Sequence, residues 1–181
     1  MEEQSRFVAK GSAHVKLAGP IEALDVTFVL LPKFTMLAFS SAIEPLRMAN
    51  QLTQKVLFRW QVLSDDGGPV TCSNGVPVMA EGAWAKSKPE GLVLVCSGVE
   101  PEGKASVALG DWLRALWRRG RVVGGLCTGA YALAQAARRW FWLRLCATQA
   151  AWLPQTRIAT VWTNLSHVRP GQGQRTSKHG C

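Results

Sequence analysis

Gly125-Leu126-Cys127-Thr128-Gly129 is the stretch of this chain whose residue types and spacing could do chemistry. It follows the apolar pair Val122-Val123 and runs into Ala130-Tyr131-Ala132-Leu133-Ala134-Gln135-Ala136. That order reads as strand, tight turn and helix, with a cysteine at the turn. The same mechanics operate in a G-x-S-x-G nucleophile elbow, where small residues let a strained turn lift the nucleophile above the sheet edge. A cysteine placed there meets the positive end of a helix dipole, which favours thiolate over thiol. Three uses of Cys127 stand open: a nucleophile, an oxidisable pocket thiol, or a small residue that fits the turn and touches a ligand.

The elements that must position this turn can be read from periodicity. Asp25 to Leu31 is a short continuous apolar run of the kind that buried parallel strands show. Pro32-Lys33-Phe34 turns the chain into a helix over residues 35–53, which Pro45 should kink by removing one backbone donor. Val56 to Ser64 alternates as a second strand, and Asp65-Asp66-Gly67-Gly68 is a turn signal. Val70 to Ala80, broken at Ser73-Asn74-Gly75, reads as a hairpin. Gly91 to Gly98 is the next buried strand. Residues 105–119 form an amphipathic helix that Gly120 ends, and Arg121 to Leu126 is the strand that feeds the elbow.

Strands alternating with helices predict a mainly parallel α/β sheet covered on both faces. In such sheets ligands sit beyond the carboxyl ends of the strands. The loops at those ends are Pro32-Lys33-Phe34, Ser97-Gly98-Val99 and Cys127-Thr128, so Ser97, Gly98, Cys127 and Thr128 are the expected ligand-binding residues. Glu44 and Arg47 stand three apart on the first helix, an ion pair or a contact that supports a subunit interface.

Composition bounds the rest. The chain has 181 residues, 48% of them hydrophobic, enough for one sizeable domain. No run reaches the ~18 consecutive apolar residues of a membrane-spanning helix, and with the polar start Met1-Glu2-Glu3-Gln4-Ser5-Arg6 no secretory signal is expected. Cys72, Cys96, Cys127, Cys146 and Cys181 are odd in number and widely spaced. They suggest a reducing cytoplasm rather than a disulfide framework, and neither a metal nor another cofactor is expected. The net charge of +9 is unevenly spread. Up to Asp111 there are 10 Lys/Arg and 12 Asp/Glu; beyond it there are 11 Lys/Arg and no acid. Such a basic tail attracts nucleic acid non-specifically, but no docking helix or base-reading motif accompanies it.

Taken in order, Asp25–Leu31, Glu44-Pro45-Leu46-Arg47-Met48-Ala49-Asn50, Ser73-Asn74-Gly75-Val76-Pro77-Val78, Leu92–Gly98 and Gly125–Ala134 resemble one known family. It is the amidase-like sensor domain of AraC-type transcriptional regulators, within the PfpI and class I glutamine amidotransferase-like superfamily. The resemblance covers roughly residues 25–136 and implies a flavodoxin-like sandwich, incomplete at its C-terminal end. It also implies a departure from the hydrolases. Those place a glutamate after the first strand and a histidine beside the cysteine, where this chain has Thr35 and Thr128. The histidines His14, His167 and His179 lie in the leader and the tail.

The expected organisation is a flexible leader over 1–24, a sensor domain over 25–137, and a basic, low-order tail of doubtful native structure over 138–181. Trp140-Phe141-Trp142-Leu143 is apolar without assignable periodicity, and the break there suggests an out-of-frame or otherwise disrupted end. The expected function is sensing of a small polar effector near Cys127, with a homodimer as a further assembly. DNA is a partner only in full-length relatives that carry helix-turn-helix units. Two rival readings are a PfpI-type cysteine hydrolase and a redox-sensitive stress protein.

Overall fold

The computed structural model describes residues 6–8 and 15–145, with side chains as far as residue 137. Its elements are β1 (Leu24–Leu30), α1 (Met36–Thr53), β2 (Phe58–Ser64), β3 (Val70–Thr71), β4 (Pro77–Val78), β5 (Gly82–Ala83), β6 (Leu92–Cys96), α2 (Val107–Arg118), β7 (Val122–Leu126) and α3 (Gly129–Leu145). Five strands form one sheet in the order β5-β2-β1-β6-β7, and every pairing within it is parallel. β3 and β4 make a separate antiparallel hairpin.

Central β1 supplies both layers because its residues alternate across the sheet. Val26, Phe28 and Leu30 join Phe39, Val62, Leu94 and Cys96 under α1. Val29 joins Val93, Val95 and Val123 under α2 and α3. In α2 the spacing of Leu109, Leu113 and Leu116 places all three against the sheet, each almost fully buried. Burial of a leucine of this kind stabilises a fold by roughly 1.5–3 kcal/mol. Ser106 caps the same helix by accepting the Leu109 N–H at 3.1 Å, and Gly120 at φ +80 follows its end. The expected mainly parallel sheet with helices on both faces is therefore the observed fold.

The element ends differ from the sequence reading by a residue or two, the usual uncertainty of frayed termini. The edge strand β5 has no counterpart in the sequence reading, and two further regions depart from it. α3 continues through Leu145 and so crosses residue 137, where the sequence pattern faded. Of the expected leader, residues 6–8 and 15–24 are described. Phe7 is 7% exposed, and the Val15 N–H donates to Leu52 O at 2.7 Å. The rest of the basic tail, residues 146–181, lies outside the described residues, as do His14, His167 and His179. Among the described residues no helix is long and apolar enough to cross a membrane.

Candidate functional site

The elbow forms where β7 meets α3. Cys127 is exposed and stands at φ +53, in the left-handed region that side-chain-bearing residues rarely adopt. Close packing on both sides dictates the flanking glycines. A Cβ on Gly129 would overlap Val95 O of the neighbouring strand, and one on Gly125 would overlap the start of α3. The two glycines let the helix begin hard against the sheet, and the cysteine between them is turned out at its carboxyl edge.

Three loops meet at that edge. Phe34 and Gly98 form an antiparallel bridge, and Thr35 N–H donates to Ser97 O at 3.3 Å. Thr128 Oγ1 donates to Gly98 O at 2.5 Å, tying the elbow to the loop after β6. The hairpin hangs from the same place, with Lys33 N–H donating to Thr71 O at 2.9 Å and Ser73 N–H to Phe34 O at 2.8 Å. Ser97, Gly98, Cys127 and Thr128 are thus brought together on one rim, with Thr35 beside them.

Thr35 occupies the N-cap of α1, a position where a threonine hydroxyl ordinarily accepts a backbone N–H of the first turn. Its side chain makes no such bond. Instead Thr35 Oγ1 and Cys127 Sγ share a hydrogen bond of 3.4 Å. The hydroxyl is turned away from its own helix and toward the cysteine. Ser97 presents a second polar feature. It is 2% exposed, and its Oγ has no hydrogen-bond partner among the described residues. By strand alternation it lies on the same side as Val93 and Val95, the side that carries α3. A buried hydroxyl left without a partner costs about 1–3 kcal/mol, so its retention asks for an explanation.

Charge at the rim comes from a pair that the sequence reading did not single out. Lys33 Nζ donates to Glu100 Oε2 at 2.6 Å. The hydrogen bond and charge of Lys33 hold the Glu100 carboxyl below the usual carboxylate range. Lys33 stands at φ +60 and Glu100 at φ +55. With Cys127, three non-glycine residues of the rim adopt left-handed backbone, the kind of strain that gathers at functional sites. No propensity rule places a lysine or a glutamate there, which is why only the structure could find the pair. The first turn of α3 contains no acidic residue to offset its dipole.

Glu44 and Arg47 stand elsewhere, on the middle of α1. Arg47 Nε donates to Glu44 Oε2 at 2.7 Å, and Arg47 Nη1 donates to Gln51 Oε1 at 2.7 Å. A half-exposed pair of this spacing contributes only a few tenths of a kcal/mol. Neither reaches the elbow. A cavity of about 320 Å³ also opens between α2 and α3, floored by Gly110, Ala132 and Ala136. It lies away from the cysteine, and its one charged side chain, Arg114, is engaged with Asp111 and with Ala136 O. The convergence of polar groups favours the elbow rim as the site. The other described cysteines are built into the core: Cys72 Sγ donates to Asn74 Oδ1 at 2.6 Å, and burial pushes the Cys96 thiol up.

The segment that carries this geometry has relatives among transcription factors. It is 47% identical over 112 residues to the HTH-type transcriptional regulator CdhR of Pseudomonas aeruginosa, covering 62% of this chain. Over that segment the chain is homologous to AraC-type regulators. The crystal structure of an AraC family transcriptional regulator from Pseudomonas putida agrees, with 30% identity and a TM-score of 0.56 over 64% of this chain and 62% of that one. The fold is shared more widely. Drosophila melanogaster DJ-1beta superposes with a TM-score of 0.55 at 18% identity, over 77% of this chain and 81% of its own. The matched segment spans 33% of CdhR, about a third of that relative. No protein-family model matches the chain.

Proposed function

We propose that residues 25–137 form the ligand-sensing domain of an AraC-type transcriptional regulator. Its effector is a small polar metabolite that binds at the rim formed by Ser97, Gly98, Cys127 and Thr128. The observation that carries this reading is the pairing of Cys127 with a neutral threonine hydroxyl inside a segment homologous to a transcriptional regulator. The three left-handed residues support the same rim as a contact surface, and Ser97, whose buried hydroxyl has no partner among the described residues, lies behind it. In a full-length regulator the bound effector would act by binding one arrangement of the DNA-binding half better than another. The domain would stand as a monomer or homodimer in the cytoplasm.

A panel of small polar metabolites scored by thermal shift and then by calorimetry tests this. A binder whose affinity falls at least tenfold in both Ser97→Ala and Thr128→Val supports the rim. A binder unaffected by either substitution places the effector elsewhere and defeats the reading. A cysteine hydrolase remains the second reading, favoured by the exposed thiol on a left-handed turn. Turnover of amide or ester substrates that disappears in Cys127→Ser would establish it in place of sensing.

A further inference from the structure

The segment Arg6–Val8 precedes β1 and belongs to neither core cluster, yet three contacts of different kinds hold it. The Phe7 ring stands edge-on to Trp60 of β2, with centroids 4.8 Å apart at 78°. Arg6 pairs with Glu81, whose Oε1 in turn accepts the Val62 N–H at 3.2 Å. Asn50, fully buried near the end of α1, donates from Nδ2 to Phe7 O at 3.3 Å. The same amide donates to Phe58 O at 2.8 Å, while its Oδ1 accepts the Leu57 and Phe58 N–H groups at 2.8 and 3.0 Å. One side chain therefore joins three pieces of backbone: the N-terminal segment, the end of α1 and the start of β2.

From this arrangement we propose that Arg6–Val8 is a docked strap, releasable without unfolding the sheet, whose docking orders the α1–β2 junction. The contacts divide in a way that makes separate release feasible. The strap touches β2, Glu81 and Asn50, whereas β6, β7, α2 and α3 pack together without it. Opening it removes an aromatic partner from Trp60, frees one Nδ2 hydrogen and lets Asn50 relax from the Leu57 and Phe58 amides. A local opening of this kind costs less than global unfolding and shows as fast amide exchange confined to one unit.

Amide hydrogen exchange on the full chain, wild type against Phe7→Ala, tests the strap. The expected result is exchange at Leu57 and Phe58 accelerated by about tenfold or more, with Val93 to Val95 unchanged. Phe7→Leu keeps an apolar side chain and should give the same localised pattern at smaller size, which covers the case of a poorly folding alanine variant. Unchanged exchange at residues 57 and 58 in either variant would overturn the proposal. So would an equal rise across β6, because the segment would then be an inseparable part of the global fold.

Discussion

Asn50→Ala should be among the most destabilising single changes in the described fold, although residue 50 touches no part of the elbow. The amide makes four hydrogen bonds of 2.8–3.3 Å and uses both its donor hydrogens and its acceptor oxygen. It is 0% exposed, so water does not reach the groups left behind without rearrangement. The Leu57 N–H retains Lys55 O at 3.1 Å. The Phe58 N–H loses the acceptor it has in Asn50. One orphaned buried donor costs about 1–3 kcal/mol, and the other lost bonds add ~0.5–1.5 kcal/mol each, partly offset by relaxation. A net loss of ~3 kcal/mol follows, or a fall in Tm of ~6–12 °C for a chain of this size.

Thermal and urea denaturation followed by circular dichroism would read this loss. Thr53→Val serves as the control. That hydroxyl is also buried but bonds Ala49 O, one turn back in the same helix, so about 1 kcal/mol or less is expected. Asn50→Asp sharpens the test through pH. The carboxylate would face Phe7 O and Phe58 O, two carbonyls that the amide now satisfies as a donor. Burial and these neighbours raise the acid's folded-state pKa above the ~3.9 of an unfolded aspartate. The folded state then binds more protons, so the deficit relative to wild type grows as pH rises above ~4. A loss under about 1 kcal/mol in Asn50→Ala, or a deficit in Asn50→Asp that is flat from pH 4 to 7, would refute the reasoning.

Further expectations concern the elbow and its surroundings. In the native state Cys127 should react with iodoacetamide or mild peroxide ahead of buried Cys72 and Cys96, and mass spectrometry showing equal modification would contradict its exposed placement. Gly129→Ala forces the new Cβ into Val95 O, and a loss of more than ~2 kcal/mol in denaturant melts is expected; a variant as stable as wild type would disprove the close approach. Thr35→Ala removes no helix cap, so its melting should change by less than ~0.5 kcal/mol rather than the ~1 kcal/mol of a lost cap. Asp66 accepts the Gly68 N–H at 2.8 Å, and backbone hydrogen bonds hold its carboxyl below the ordinary value. The stability it contributes is present above the unfolded pKa and is lost as pH falls through the lowered one. Asp66→Asn should therefore flatten the acid limb of a urea-midpoint profile, and an unchanged slope would count against it.

The sheet was legible because its strands are short apolar runs bounded by glycine and aspartate turns, and parallel burial leaves little else for such runs to do. Gly125 to Gly129 marked the elbow for a related reason, since only glycine clears Val95 O and the start of α3. Less legible were groups whose role depends on distant backbone. Asn50 is one polar residue on a helix, and nothing local announces that Leu57, Phe58 and Phe7 converge on it. The Lys33–Glu100 pair joins two loops far apart in sequence, each residue in a conformation its type disfavours. The strap was hidden because a three-residue contact has no periodicity. α3 ran past residue 137 because a helix needs no family pattern to continue once its backbone hydrogen bonds propagate.

The two threonines bear most directly on what the elbow can do. Nucleophilic catalysis needs a base that takes the thiol proton and an acid that returns one to the leaving group. Thr128 follows the cysteine, but its hydroxyl is committed to Gly98 O and works as a latch between two loops. Thr35 reaches the sulfur, but a hydroxyl cannot hold a proton and release it near neutral pH as a carboxylate or imidazole can. Both hydroxyls can nevertheless orient groups without exchanging protons. A thiol held by a threonine and a latched loop make a surface suited to a polar ligand, with the buried Ser97 hydroxyl behind it. Among the described residues the Cys127 sulfur is hydrogen-bonded to a hydroxyl, an arrangement that fits the proposed sensing role better than it fits proton transfer.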